Sequence, residues 1–173
     1  MTRHSASQLF WFAGGRRRLG HVGHLARRFV TSLSRRAPDS AEVDWGEAWL
    51  LPAEVQLWQR LDNIDRRHAL QVTRRFHALR PDASRPELAA AMLHDIGKLD
   101  SGLGTVGRVV ASVVGPRTQR LRRYHDHEAI GAAWLAAGGS DPMTVRLVGG
   151  GGFGIDSGAG EVAAAALRAA DDI

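Results

Sequence analysis

The chain has 173 residues, 44% of them hydrophobic, which is enough for one domain with a buried core. It contains no cysteine, so disulfides, thiolate zinc sites and a cysteine nucleophile are excluded, and histidines and carboxylates remain as the only strong metal ligands. The formal net charge of +5 comes almost wholly from arginine, and no stretch approaches the ~20 apolar residues that span a bilayer, which excludes an integral membrane protein.

The first part of the chain, residues 1–38, is strongly basic, with eight arginines, three histidines and no acidic residue. Apolar residues recur at three- and four-residue spacing over residues 19–33, which predicts an amphipathic helix. Such a segment suits contact with an anionic membrane surface or nucleic acid, although a flexible basic tail or a helix packed on the domain gives the same pattern. Residues 37–40 indicate a linker. We therefore expect a basic N-terminal extension over residues 1–45 and a helical domain over residues 46–173.

Helical patterns dominate the rest of the chain. Prolines, capping residues and apolar stripes predict helices over residues 52–61, 65–79, 85–96, 118–137, 141–148 and 161–172. The third of these helices begins with a capping box formed by Ser84 and Glu87, and Gly97 suits its end. Residues 103–114 mix glycine with valine, and this pattern fits a helix and a strand equally well. The expected fold class is an all-α bundle.

His94 and Asp95 form an adjacent pair in the last turn of the predicted 85–96 helix. Together they offer an imidazole and a carboxylate to one metal ion, and a divalent ion with an open position activates water near neutral pH. Two ligands do not hold a catalytic ion. His68 upstream and Asp171 downstream are the candidate partners, on separate predicted helices.

This order of residues resembles the HD-domain metal-dependent phosphohydrolase superfamily, whose signature is a His, a His-Asp doublet and a late Asp. Residues 93–98, Leu-His-Asp-Ile-Gly-Lys, look like the string that is common around the doublet. Residues 127–132 look like the His-x-x-x-Gly-Ala element that often follows it. The resemblance covers roughly residues 50–173 and implies an HD-domain-like helical bundle.

The resemblance also implies a set of metal ligands, namely His68, His94, Asp95 and Asp171. Asp172 is an alternative to Asp171, because both lie close to the chain end. The implied cofactor is a divalent metal ion, either Mn, Fe, Co, Ni or Mg, since His and carboxylate ligands suit several ions.

Further roles follow from the same resemblance. Asp95 would accept the proton of the attacking water. Lys98 is the only lysine of the chain, and it is expected to take part in catalysis and to bind substrate phosphate, with a solvated helix-end cation as the alternative. His127 would bind substrate phosphate or a second ion.

The expected function is hydrolysis of a nucleotide or related phosphate ester, in the cytoplasm or peripheral to a membrane. Many two-metal relatives carry histidine where residues 149–152 are all glycine here, which favours a single-ion site. The alternative is a degenerate HD domain that senses a nucleotide or binds a partner without turnover. Neither the substrate nor the oligomeric state follows from the sequence.

Overall fold

The computed structural model describes residues 36–101, 126–150 and 158–172, and these residues are all-α, as predicted. The helices are α1 Ser40–Glu47, α2 Pro52–Trp58, α3 Asn63–Leu79, α4 Arg85–Leu93, α5 Lys98–Ser101, α6 His127–Ala137, α7 Pro142–Val148 and α8 Gly158–Asp171. The helix predicted at residues 19–33, the segment 103–114 and residues 118–125 lie outside the described residues. Contact of the N-terminal segment with a membrane or nucleic acid therefore stays a prediction.

Side-chain caps determine where several helices begin. The carboxylate of Asp62 accepts hydrogen bonds from the backbone N–H groups of Ile64 and Asp65, each at 2.9 Å, so α3 starts two residues earlier than expected. At α4, the carboxylate of Glu87 accepts hydrogen bonds from both the backbone N–H and the hydroxyl of Ser84, each at 2.7 Å. The predicted capping box is therefore confirmed.

The first helix, α1, was not predicted. Residues 37–40 were expected to form a linker, but Asp39 accepts a hydrogen bond from the backbone N–H of Ala41 at 2.9 Å and caps the helix. The helix packs against α3, and its Gly46 is buried against Leu70 and Met92. Residues 40–45, assigned to the N-terminal extension above, thus form part of a helix that packs on the core.

Helix α4 lies at the centre of the core. It packs against α2, α3 and α7, and each of its residues 87–93 is buried. The alanines at positions 89–91 are fully buried, and their small side chains let the neighbouring helices approach closely. From α3, Val72 and Phe76 fill the adjacent core, as the apolar stripe predicted. Leu79, the last residue of α3, is 54% exposed.

The helix α8 packs against α3 and α7 through a narrow face that consists mostly of alanines, comprising Ala163, Ala164, Leu167 and Ala170. This packing brings the end of α8 beside α3. Within the described ranges, no helix has the length and apolar character needed to cross a membrane.

Candidate metal centre

The His94–Asp95 doublet lies at the end of the buried helix α4. The helix ends at Leu93, three residues before the predicted end at Ile96, and His94 is its C-cap residue. The doublet therefore occupies the turn that follows the helix rather than its last turn. Because α4 is buried along residues 87–93, this turn has a well-defined position.

The orientation of the His94 ring is set by its own helix. Nδ1 of His94 lies 3.0 Å from the carbonyl oxygen of Ala91. Because a carbonyl only accepts, Nδ1 is the nitrogen that donates, and Nε2 is directed away from α4. That Nε2 atom is buried, and the carboxylates of Asp95 and Asp171 each place an oxygen 3.5 Å from it. A buried ring nitrogen that faces carboxylates, with the opposite nitrogen fixed by a carbonyl, is also the arrangement in which metal-ligating histidines are held.

Two further side chains approach this nitrogen from other helices. His68, on α3, places its ring 5.3 Å from the His94 ring, centre to centre. Asp171, the last residue of α8, places Oδ1 2.9 Å from Nε2 of His68 and 3.5 Å from Nε2 of His94. Asp172, the alternative ligand, is not part of this cluster. The structure thus brings His68, His94 and Asp171 together from α3, the turn after α4, and α8.

The spacing of these donor atoms suits one cation. The donor atoms of His68, His94 and Asp171 all lie within 4.8 Å of one another. Ligands about 2.1 Å from one ion are about 3.0 Å apart at a right angle and about 3.4 Å apart at the tetrahedral angle. The two separations from Asp171, 2.9 and 3.5 Å, are compatible with ligation of one ion, and the 2.9 Å separation is also that of a hydrogen bond between His68 and Asp171.

Asp95 borders this three-residue cluster. Its Oδ2 lies 3.5 Å from Nε2 of His94 and 3.9 Å from Nε2 of His68, and it accepts a hydrogen bond from Nζ of Lys98 at 2.5 Å. Its other oxygen, Oδ1, lies 3.7 Å from Nε2 of His127. The carboxylate therefore joins the cluster to Lys98 and His127, the two residues predicted to bind substrate.

His127 reaches Asp95 because α6 approaches the doublet turn very closely. A Cβ atom at Gly97 would lie 1.9 Å from the carbonyl oxygen of His127 and 2.7 Å from the backbone nitrogen of Gly131. A Cβ at Gly131 would in turn meet Ile96 at 3.1 Å. Only glycine permits this approach at position 97. Gly97 and Gly131 thus allow the beginning of α6 to pack directly against the turn that carries His94 and Asp95.

The ionisable groups of the centre alter one another's pKa. Burial disfavours the charged form of His94, but the carboxylates of Asp95 and Asp171 outweigh it and raise the pKa of His94 to about 9. Burial likewise opposes ionisation of Asp95, but the charges of His94 and Lys98 prevail and lower its pKa to about 2. The hydrogen bond from His68 and contact with His94 hold the pKa of Asp171 well below its usual range. In the metal-free centre at neutral pH, the two ionised carboxylates therefore face a protonated His94 and the ammonium of Lys98, and a metal ion would have to displace the His94 proton.

These pKa changes predict how the stability of the metal-free protein depends on pH. The pKa of His94 is raised from 6.5, so its stabilising contribution is complete below pH 6.5 and is lost as the pH rises through about 9. The pKa of Asp95 is lowered from 3.8, so its contribution is present above pH 3.8 and is lost as the pH falls through about 2. We expect the free energy of unfolding in urea with a chelator to fall by on the order of 1–3 kcal/mol between pH 6.5 and 9.

The control for that measurement is the His94→Gln variant, which cannot take up the proton. The decrease in the free energy of unfolding above pH 6.5 should be much smaller in this variant than in the wild type. An unfolding free energy of the wild type that stays constant from pH 6.5 to 9 would contradict the charge arrangement of the metal-free centre.

One residue of the centre was not identified from the sequence. Nη1 of Arg75, on α3, donates a hydrogen bond to the carbonyl oxygen of Ala170 at 3.1 Å, immediately before Asp171. The sequence holds only an indirect indication, which is that Arg75 follows His68 by seven residues and lies on the same face of α3.

Comparison of the chain with protein-family models, with curated proteins and with solved structures finds no match. The fold and the site define a helical domain in which two imidazoles and a carboxylate from three parts of the chain converge at one point.

Proposed function

We propose that the protein is a metal-dependent phosphohydrolase similar to the HD-domain superfamily, acting on a nucleotide or related phosphate ester. The observation that carries this proposal is the convergence of His68, His94 and Asp171, whose donor atoms all lie within 4.8 Å of one another, with the buried Nε2 of His94 directed at the carboxylates. These three residues would hold a divalent ion, and Asp95 would be the fourth ligand. Two imidazoles favour Mn, Fe, Co or Ni over Mg, which prefers oxygen ligands.

A bound divalent ion would supply water of lowered pKa and would neutralise charge on a phosphate oxygen. The side chains of the protein would orient the water and the substrate around this ion. Asp95 would accept a hydrogen bond from the attacking water and take up its proton. In the metal-free protein the charges of His94 and Lys98 lower its pKa to about 2, so it is a weak base there and would act mainly by orienting the water.

Lys98 and His127 would bind the substrate phosphate. Both contact the carboxylate of Asp95, with Lys98 at Oδ2 and His127 at Oδ1. A compact ammonium and an imidazole donor next to a metal-bound phosphate stabilise the negative charge that develops on its oxygens.

The proposal is tested by a turnover assay. The protein is stripped of metal, reloaded separately with Mn, Fe, Co, Ni or Mg, and assayed on a panel of nucleotides, phosphomonoesters and phosphodiesters. We expect turnover of at least one ester with at least one ion, and a loss of about 100-fold or more in His94→Gln. His77→Gln is the matched control, because His77 is a partly buried histidine that contacts Trp45 and Trp49 instead of the cluster. Absence of turnover with every ion would reject the enzymatic proposal.

A binding module without turnover is the second candidate, and one contact favours it. The ammonium of Lys98 lies 2.5 Å from Oδ2 of Asp95, the oxygen that faces both imidazoles, and it competes with a cation for that carboxylate. Saturable binding of a nucleotide in the same panel, with no product formed, would support this candidate over the hydrolase.

A further inference from the structure

Asp171 is the most weakly held member of the candidate centre. Its side chain is 43% exposed, whereas the side chain of His94 is 10% exposed. It is also the last residue of α8, and the last turn of a helix tends to fray. The distance from Asp171 to the two imidazoles therefore depends on what holds the end of α8 in place.

Apolar packing alone holds the end of α8 weakly. The buried residues among the last eight of α8 are Ala164, Leu167 and Ala170, of which only Leu167 has a large side chain. An alanine side chain removes little apolar surface from water, and it does little to prevent a helix from sliding or rotating against its neighbour. A directional contact near Asp171 is thus needed to fix its carboxylate.

Arg75 supplies such a contact. Its Nη1 donates a hydrogen bond to the carbonyl oxygen of Ala170 at 3.1 Å, and the bond is partly buried. The last carbonyl groups of a helix carry partial negative charge and lack partners within the helix, so a guanidinium stabilises this end. Ala170 directly precedes Asp171 in the chain, and fixing its carbonyl restricts the backbone from which the carboxylate extends.

Arg75 and His68 belong to the same rigid element. They are seven residues apart on α3, which is close to two full turns, so both face α8. One helix therefore contacts the end of α8 twice, through His68 at the carboxylate of Asp171 and through Arg75 at the preceding carbonyl. Two contacts from one helix define the position of Asp171 better than either contact alone.

We propose that Arg75 is a positioning residue of the metal centre, which anchors the end of α8 so that Asp171 reaches the ion held by His68 and His94. The inference rests on the proposed function, since it assigns Arg75 a role in metal affinity. Arg75 itself is not a ligand, because a guanidinium offers donors only.

The test compares three variants by Co²⁺ titration and by amide hydrogen exchange of residues 167–171 in the metal-free protein. Arg75→Met should weaken Co²⁺ binding by about 10-fold or more and speed exchange of this segment. Arg75→Lys keeps a charged donor, so it should retain part of the Co²⁺ affinity and part of the slow amide exchange that Arg75→Met loses. Arg74→Met is the matched control, because Arg74 is adjacent on α3 but contacts Glu42 and Trp45, and it should behave as the wild type.

The two measurements separate the possible failures. Wild-type Co²⁺ affinity and wild-type exchange in Arg75→Met would overturn the inference, as would an equal loss in Arg74→Met. If the wild type binds no Co²⁺, the proposed function and the role of Arg75 in metal affinity both fail. Faster exchange in Arg75→Met would then show that Arg75 anchors the end of α8 but has no role in metal binding. Arg75→Lys keeps the test decisive if Arg75→Met does not fold.

Discussion

Asp171→Ala is expected to weaken binding of Co²⁺ or Mn²⁺ by about 100-fold or more, as measured by titration of the metal-free protein. The reason is geometric. The carboxylate of Asp171 is the only oxygen in the cluster of three donor atoms, and it contacts both imidazoles, at 2.9 and 3.5 Å. Its removal leaves two neutral nitrogen ligands and Asp95, whose Oδ2 already accepts a hydrogen bond from Lys98.

The chain provides a matched control for this prediction. Asp172→Ala removes the same charge from the next residue, which is exposed and follows the end of α8. We expect this variant to bind the ion as tightly as the wild type does. Equal losses of metal affinity in the two variants would mean that both carboxylates act only through their charge. An unchanged metal affinity in Asp171→Ala would show that Asp171 is not a ligand.

Gly97→Ala is expected to reduce the free energy of unfolding by about 3 kcal/mol, measured by urea unfolding at equilibrium. The added Cβ would lie 1.9 Å from the carbonyl oxygen of His127, so the backbone of α6 must move away from the doublet turn. Flexible side chains cannot relieve this overlap, because both neighbouring atoms belong to the main chain. We also expect His127 to lose its contact with Asp95.

Gly158→Ala is the control, since a Cβ at this position, the first residue of α8, meets no atom within 4 Å. Its free energy of unfolding should be unchanged or raised by up to about 1 kcal/mol, because alanine has less conformational freedom than glycine in the unfolded chain. A Gly97→Ala protein as stable as the wild type would show that α6 does not pack as described.

The sequence predicted α3 and the short helix α7 closely, but it missed α1 and placed the end of α4 too late. In α3, the apolar positions Val72 and Phe76 repeat at helical spacing beside polar residues, and both are buried. Helix α1 has only eight residues and includes Gly46, so its pattern is too brief to distinguish from a linker. The early end of α4 depends on the tight turn at Gly97, which is set by its contact with α6. Such long-range packing leaves no periodic pattern in the sequence.

For the candidate centre, the sequence indicated which residue types belong together but not how each is held. The order of His68, the doublet and Asp171 suggested one site, and the structure places these side chains in contact. That they bind a metal stays a prediction. The contact of Arg75 with Ala170 joins residues 95 positions apart, and it depends on how α8 packs on α3. The choice between Asp171 and Asp172 depends on the same packing, because adjacent helical residues point about 100° apart.

The most direct test of the account is the position of the ion itself. Crystals of the protein loaded with Co²⁺ or Mn²⁺ should give one strong anomalous scattering peak within about 2.5 Å of Nε2 of His68, Nε2 of His94 and Oδ1 of Asp171. A structure of the metal-treated protein with no peak at this point, and with Oδ1 of Asp171 still in contact with His68, would contradict the account.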